Sequence, residues 1–167
     1  MAAAAGHPRQ LRRQAMIGFK KPLAAALALG LLACLAHTAA LAQSTPAGLW
    51  KTIDDESKQE KSLVRISESG GVFSGRIAKL LDPTRQNEVC DKCTDERKGK
   101  PIVGLTIVRN ARQDADDKTV WSGGDITDPN NGKTYKLRLK PVDDGKALEV
   151  RGYIGPFYRT QTWIRVE

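Results

Sequence analysis

The sequence predicts an all-β domain, a single antiparallel up-and-down barrel of about eight strands. Three observations carry this. Short runs alternate apolar and polar residues with a period of two, most clearly from Asp128 to Val166. Turn signals such as Ser69-Gly70-Gly71, Asp128-Pro129-Asn130-Asn131-Gly132 and Asp143-Asp144-Gly145 separate those runs at regular intervals. Beyond residue 42 no stretch has the spacing of an amphipathic helix.

The elements follow in order. Gly48-Leu49-Trp50-Lys51 opens the domain, and a polar turn at Asp54-Asp55-Glu56 follows. Residues 61–67 form a strand with Val64 and Ile66 on one face. Residues 72–81 pair with it as a hairpin carrying Phe73, Gly75 and Ile77 together. Residues 82–100 lack periodicity and read as a loop with one helical turn. The run IVGLTIV then predicts a strand over 101–108, buried on both faces or bent at Gly104. Residues 112–118 are an acidic turn. Residues 119–127 give a strand whose Gly123-Gly124 pair marks a bulge or a close backbone approach. Tyr135, Leu137 and Leu139 then oppose Lys136, Arg138 and Lys140. Leu148, Val150, Gly152 and Ile154 oppose Glu149, Arg151 and Tyr153, and residues 158–166 form the last strand.

The N-terminus has the composition of an export signal. Arg9, Arg12, Arg13, Lys20 and Lys21 precede an apolar Leu/Ala run over 23–36, and Ala40-Leu41-Ala42 forms a small-residue cleavage site. Met16 would be an initiator giving a signal of more ordinary length. Cys34 suggests lipoprotein processing and Arg12-Arg13 twin-arginine export, but the flanking residues fit both poorly, so soluble export is preferred. The expected division is a signal over 1–42 and a barrel over 43–167, placed in the periplasm or secreted, with no permanent membrane span.

Cleavage there would leave 22 Lys and Arg against 19 acids, a net charge of +3 rather than +8. That small excess gives no reason to expect nucleic acid as a partner. Both histidines, His7 and His37, fall in the signal. A mature chain without imidazole has no Ser-His-Asp or Cys-His nucleophile and no histidine-based metal site, so an enzyme is not expected.

Cys90 and Cys93 are the mature thiols. In an exported protein they read as a structural disulfide closing a short loop. A redox role would require a helix N-terminus after a strand, and zinc would require soft ligands beyond Asp91, Asp95 and Glu96. Asp125, Asp128 and Asn130 lack the closing glutamate of a calcium loop and fit a turn. Adjacent Asp54, Asp55 and Glu56 read as solvated carboxylates. Trp121, Tyr135, Arg151, Tyr153, Arg159 and Trp163 are candidate ligand or partner contacts, weighed against the simpler role of filling the core or capping its ends. If the apolar face is the interior, Arg151 points to solvent or to a partner.

Five motifs carry a family resemblance: GLW near the mature start, CDKC before GKPIVGL, WSGGDITDPNNGKTY, LEVRGYIG and RTQTWIRV. Through them the chain resembles the bacterial exported proteins grouped as the domain of unknown function DUF2147, which implies compartment and fold more than activity. It is also similar, more weakly, to the lipocalin-like calycin barrels. That similarity implies Trp50 as the plug of a closed end with Arg165 lying over it.

The function expected is non-catalytic binding of a small hydrophobic or lipid-like ligand in the cell envelope, by a monomer without cofactor. The alternatives are an envelope protein-interaction module with a filled barrel, or chemistry at carboxylates or at the thiol pair. An internal cavity of at least roughly 300 Å³ separates the first from the second.

Overall fold

The structure, a computed structural model, describes residues 45–167. The segment expected to be a signal, with His7, Cys34 and His37, lies outside the described residues. Nine strands form one antiparallel sheet: β1 (Gly48–Ile53), β2 (Glu60–Ser69), β3 (Val72–Leu80), β4 (Thr106–Gln113), β5 (Trp121–Ser122), β6 (Asp125–Asp128), β7 (Lys133–Val142), β8 (Ala147–Ile154) and β9 (Phe157–Arg165). Their order is β3-β2-β1-β9-β8-β7-β5-β4-β6, with further pairing of β3 to β4 and of β6 to β7. Those extra pairings close the sheet on itself, and closure removes the unpaired edges that an open sheet would expose.

β5 and β6 occupy one position between β4 and β7, so the nine segments make an eight-stranded barrel. The break between them is the Gly123-Gly124 pair. A Cβ on Gly124 would sit 2.2 Å from the Arg109 carbonyl oxygen, so only glycine permits this approach. Opposite it, Asn110 takes φ 60° and β4 bulges. The bulge expected from the glycine pair is therefore present, and it splits the strand expected over 119–127 into two short pieces.

The expected strand over 101–108 is displaced. β4 begins at Thr106 and runs on to Gln113, through residues too polar to have signalled a strand. Ile102 and Leu105 are buried, as their apolarity requires, but in the loop before the strand. Gly104, at φ +91°, turns that loop back so that its N–H and the Leu105 carbonyl pair with Ile77 of β3. Apolar density here reports burial, which a covering loop satisfies as well as a strand does. The expected helical turn in the long loop is a single 3-10 turn, Pro83–Arg85, capped by the Asp82 carboxylate.

Alternation sorts the remaining side chains. Val64, Ile66, Phe73, Ile77, Val108, Leu137, Leu139, Leu148, Val150 and Trp163 are buried in one core. Each such residue withdrawn from water contributes about 1.5–3 kcal/mol against the entropy of ordering the chain. The chain direction places the 54–59 loop, the 81–105 loop, the 128–133 turn and the β8–β9 hairpin at one end of the barrel. The β2–β3 hairpin and residues 143–146 lie at the other end, with the N-terminal residues 45–47. Among the described residues, no helix is long and apolar enough to cross a membrane.

Candidate functional site

One end of the barrel is plugged. Trp50 is fully buried, pairs in register with Arg165, and donates its indole N–H to the Pro46 carbonyl at 2.8 Å. The Arg165 guanidinium lies 4.1 Å from the Trp50 ring centroid. It donates to the backbone carbonyls of Gly145, of Ala47 at 2.8 Å and of Thr45 at 2.9 Å. Burial draws its pKa downward, while the carbonyl fork and the indole face accept the charge. Trp121 packs edge-on against Phe73 in the same core, with ring centroids 5.7 Å apart.

The other end is open. A cavity of about 500 Å³ enters there, lined at depth by Ile77, Ile107, Ile126, Val150 and Trp163. Its upper wall and rim carry Asp54, Tyr135, Asn131, Arg159 and Gln161. The inward side of β9 supplies three of these through period-two spacing: Arg159, Gln161 and Trp163, with Arg165 continuing the row to the plug. Trp163 is 2 % exposed and donates its indole N–H to the Gln161 side chain at 3.1 Å, which orients both at the cavity floor. Tyr135 presents its ring to the cavity and its hydroxyl accepts from Asn131 at 3.0 Å.

Arg159, Asp54 and Asp55 at the rim are paired, whereas Lys61, which also lines the cavity, bonds the neutral Gln59 side chain. The Arg159 Nε donates to both Asp55 oxygens at 2.7 Å, across 104 residues of sequence. The Arg159 hydrogen bond holds the Asp55 carboxyl below the ordinary range. Asp54 is lowered too, chiefly by the Ser57 hydroxyl and backbone N–H that it accepts at 2.7 Å each. The sequence suggested solvated carboxylates at 54–56. Asp54 and Asp55 instead keep side-chain exposures of 26 % and 29 % and fasten the β1–β2 loop to β9. Only Glu56, at 84 %, fits the solvated reading.

The 81–105 loop forms another part of the rim. Arg85 grips Glu88 with two bonds, at 2.7 and 2.6 Å, and reaches the Asn130 side chain at 3.1 Å. Cys90 and Cys93 form a disulfide, S–S 1.94 Å, and are 0 % and 2 % exposed. The loop they close rests on Gly132, where a Cβ would fall 1.8 Å from the Lys92 carbonyl oxygen. Asp95 is engaged by the buried Arg97, whose guanidinium lowers the Asp95 carboxyl to about 2. The Asp128 oxygen accepts from the Asn130 backbone N–H at 2.9 Å, which is the arrangement of a turn. A second hollow, about 370 Å³, lies along residues 96–109 and is bordered by Glu96, Arg97 and Arg109, whose charges pair with one another or with Asp95 and Asp125.

The family model for DUF2147, "Uncharacterized protein conserved in bacteria", matches residues 48–165. The chain belongs to this family. No curated protein matches it. Among solved structures it is similar to protein HP1028 from the human pathogen Helicobacter pylori, described as belonging to the lipocalin family. The TM-score is 0.63 at 20 % identity, over 74 % of this chain and 84 % of that one. At that identity the likeness concerns fold: this DUF2147 chain has a lipocalin-like barrel.

Of the candidate contacts read from the sequence, Tyr135, Arg159 and Trp163 meet in the cavity. Trp121 lies in the packed core, and Arg151 and Tyr153 stand on the outer face of β8. The sequence reading missed Gln161, Asn131 and Ile107. For Gln161 a signal existed, since it falls in phase with Trp163 and Arg165 on one strand. Asn131 is placed by the turn and Ile107 by a bulge at the start of β4, and neither leaves a periodic trace.

Proposed function

We propose that this barrel binds a small molecule with an apolar body and a polar end, and performs no chemistry on it. The observation that carries the reading is the open cavity of about 500 Å³, closed below by the Trp50–Arg165 plug. That volume lies within the range of roughly 300–1,000 Å³ usual for small-molecule sites. An apolar floor with hydrogen-bonding groups at the rim would bury a hydrocarbon or ring body and leave its polar end near Tyr135, Gln161 and Arg159. The rim carries both signs of charge, with Arg85 and Arg159 paired to carboxylates and Lys61 bonded to the Gln59 side chain, so it suits a neutral or zwitterionic polar end. Chemistry has little to draw on: the described residues contain no histidine, Asp54 and Asp55 at the rim are held ionised by their partners, and the sulfurs are joined and buried. The binder acts in the cell envelope if the N-terminal segment directs export.

Titration with an apolar fluorescent probe tests this reading, because Trp163 at the floor should be quenched as the cavity fills. One probe per chain should bind saturably. Val150→Trp, which projects into the cavity, should weaken binding at least tenfold while the fold persists. Equal binding by both proteins, or no saturable binding by either, would refute the reading. A filled barrel serving as a protein-interaction module would instead bind no probe and lose about 1–3 kcal/mol of stability on Val150→Trp, the cost of overpacking a dense core.

A further inference from the structure

We infer that the β8–β9 hairpin docks the open end of the barrel onto an anionic lipid membrane surface. Its tip exposes large side chains to solvent: Phe157 is 77 % exposed, Tyr158 61 % and Ile154 47 %. Ile154 and Phe157 face each other across the two-residue turn Gly155-Pro156. Isolated exposed apolar residues are ordinary, whereas three at one convex tip call for an explanation.

The side chains behind the tip are graded along the strands. Tyr153 pairs with Tyr158, their ring centroids 5.7 Å apart, one residue back from the Ile154–Phe157 pair. Lys136 lies opposite Tyr153 on β7, and Arg138 lies opposite Arg151. Arg151 is held on the outer face by its bond to the Thr160 hydroxyl at 2.8 Å, with its guanidinium 4.5 Å from the Tyr158 ring centroid. At about 3.3 Å per residue, these cations stand some 3–10 Å behind the apolar tip. That is the depth order of a membrane interface: apolar groups inserted, tyrosines at the headgroups, Lys and Arg at the phosphates.

Charge and shape select the occupant. Of the nearby acids, Asp117 lies 4.0 Å from Arg138, Asp125 stands opposite Lys136 but is engaged by Arg109, and Glu149 pairs across from Lys140, while Asp54, Asp55 and Glu56 gather on Arg159 at the neighbouring β1–β2 loop. Among the described residues Lys136 and Arg151 form no ion pair, and they give the outer face of β7 and β8 its positive bias. A tip of three exposed side chains is too small to bury the roughly 1,000 Å² a stable protein interface needs, yet it suits insertion between lipid headgroups. The hairpin also borders the cavity mouth, since Arg159 of the same strand lines it. Docking would hold the mouth against the lipid, but it rests on the hairpin alone and not on what the cavity holds.

Co-sedimentation with vesicles tests the inference, using phosphatidylcholine alone or mixed equally with phosphatidylglycerol. Every protein compared carries the same N-terminal processing. The intact protein should bind the anionic vesicles and lose binding as salt is raised. Phe157→Asp should weaken binding about tenfold or more, the loss of one inserted aromatic side chain. Lys136→Gln with Arg151→Gln should abolish the preference for phosphatidylglycerol. Ile164→Asp, an exposed apolar site at the far end of β9, should change nothing, and neither should Val150→Trp, so the cavity reading fails or stands separately. Unchanged binding by Phe157→Asp overturns the inference, as does an equal loss in Ile164→Asp. A change from dimer to monomer on Phe157→Asp, with vesicle binding unaltered, would likewise overturn it in favour of a protein partner.

Discussion

Replacing Arg165 by methionine should unplug the closed end, and the structure allows the loss to be estimated. The guanidinium stacks 4.1 Å from the Trp50 centroid, a contact worth about 1 kcal/mol. It also satisfies three backbone carbonyls, those of Gly145, Ala47 and Thr45. A bond from a charged donor contributes about 1.5–3 kcal/mol when buried; because water can reach this end once the side chain is gone, about half is retained in the estimate. The expected destabilisation is about 3–5 kcal/mol, and a fall of about 12–20 °C in Tm for a domain of this size. Urea denaturation followed by tryptophan fluorescence measures it, with an unchanged m-value indicating a native-like fold. Arg165→Lys should recover less than half of the loss, since an ammonium cannot span three carbonyls and cover an indole face. A change below about 0.5 kcal/mol for methionine, or full recovery by lysine, would refute the plug.

Three further outcomes follow from the rim and its loop. Asp95→Ala should cost about 2–3 kcal/mol in chemical denaturation, because it leaves Arg97, 4 % exposed, without its carboxylate; Asp95's own exposure keeps the loss below the full penalty for an orphaned buried charge. Asp55 is depressed in the folded state by Arg159, so its contribution is present above the ordinary carboxylate pKa near 4 and is lost as pH falls through the lower folded value. Hydrogen exchange in residues 54–59 should therefore quicken on acidification, and Asp55→Asn should show the fast exchange already at neutral pH. Reducing the Cys90–Cys93 disulfide should cost about 2 kcal/mol by loop entropy and raise exchange in the 81–105 loop, while the strands stay protected.

Much of the barrel was legible because its strands obey one rule. β2, β3, β7 and β8 bury every second residue, and glycine-containing turns mark where each ends. β4 was not legible in place. Its apolar signal comes partly from Ile102 and Leu105, which the covering loop buries, and its own second half is Arg109-Asn110-Ala111-Arg112-Gln113. The site was legible in part. Tyr135 and Trp163 were identifiable as aromatics on barrel strands, but their destination depends on register, which also sent Tyr153 outward and Trp121 into the core. The Arg159–Asp55 pair joins residues 104 apart, and no local pattern reports a contact of that separation.

Native mass spectrometry of the protein taken directly from its own host tests the central claim most directly, since it weighs whatever the cavity has captured. One organic adduct of a few hundred daltons per chain is expected, consistent with a hollow of about 500 Å³, together with its loss from Val150→Trp. Bare protein in both preparations, or the same adduct retained by the variant, would contradict it.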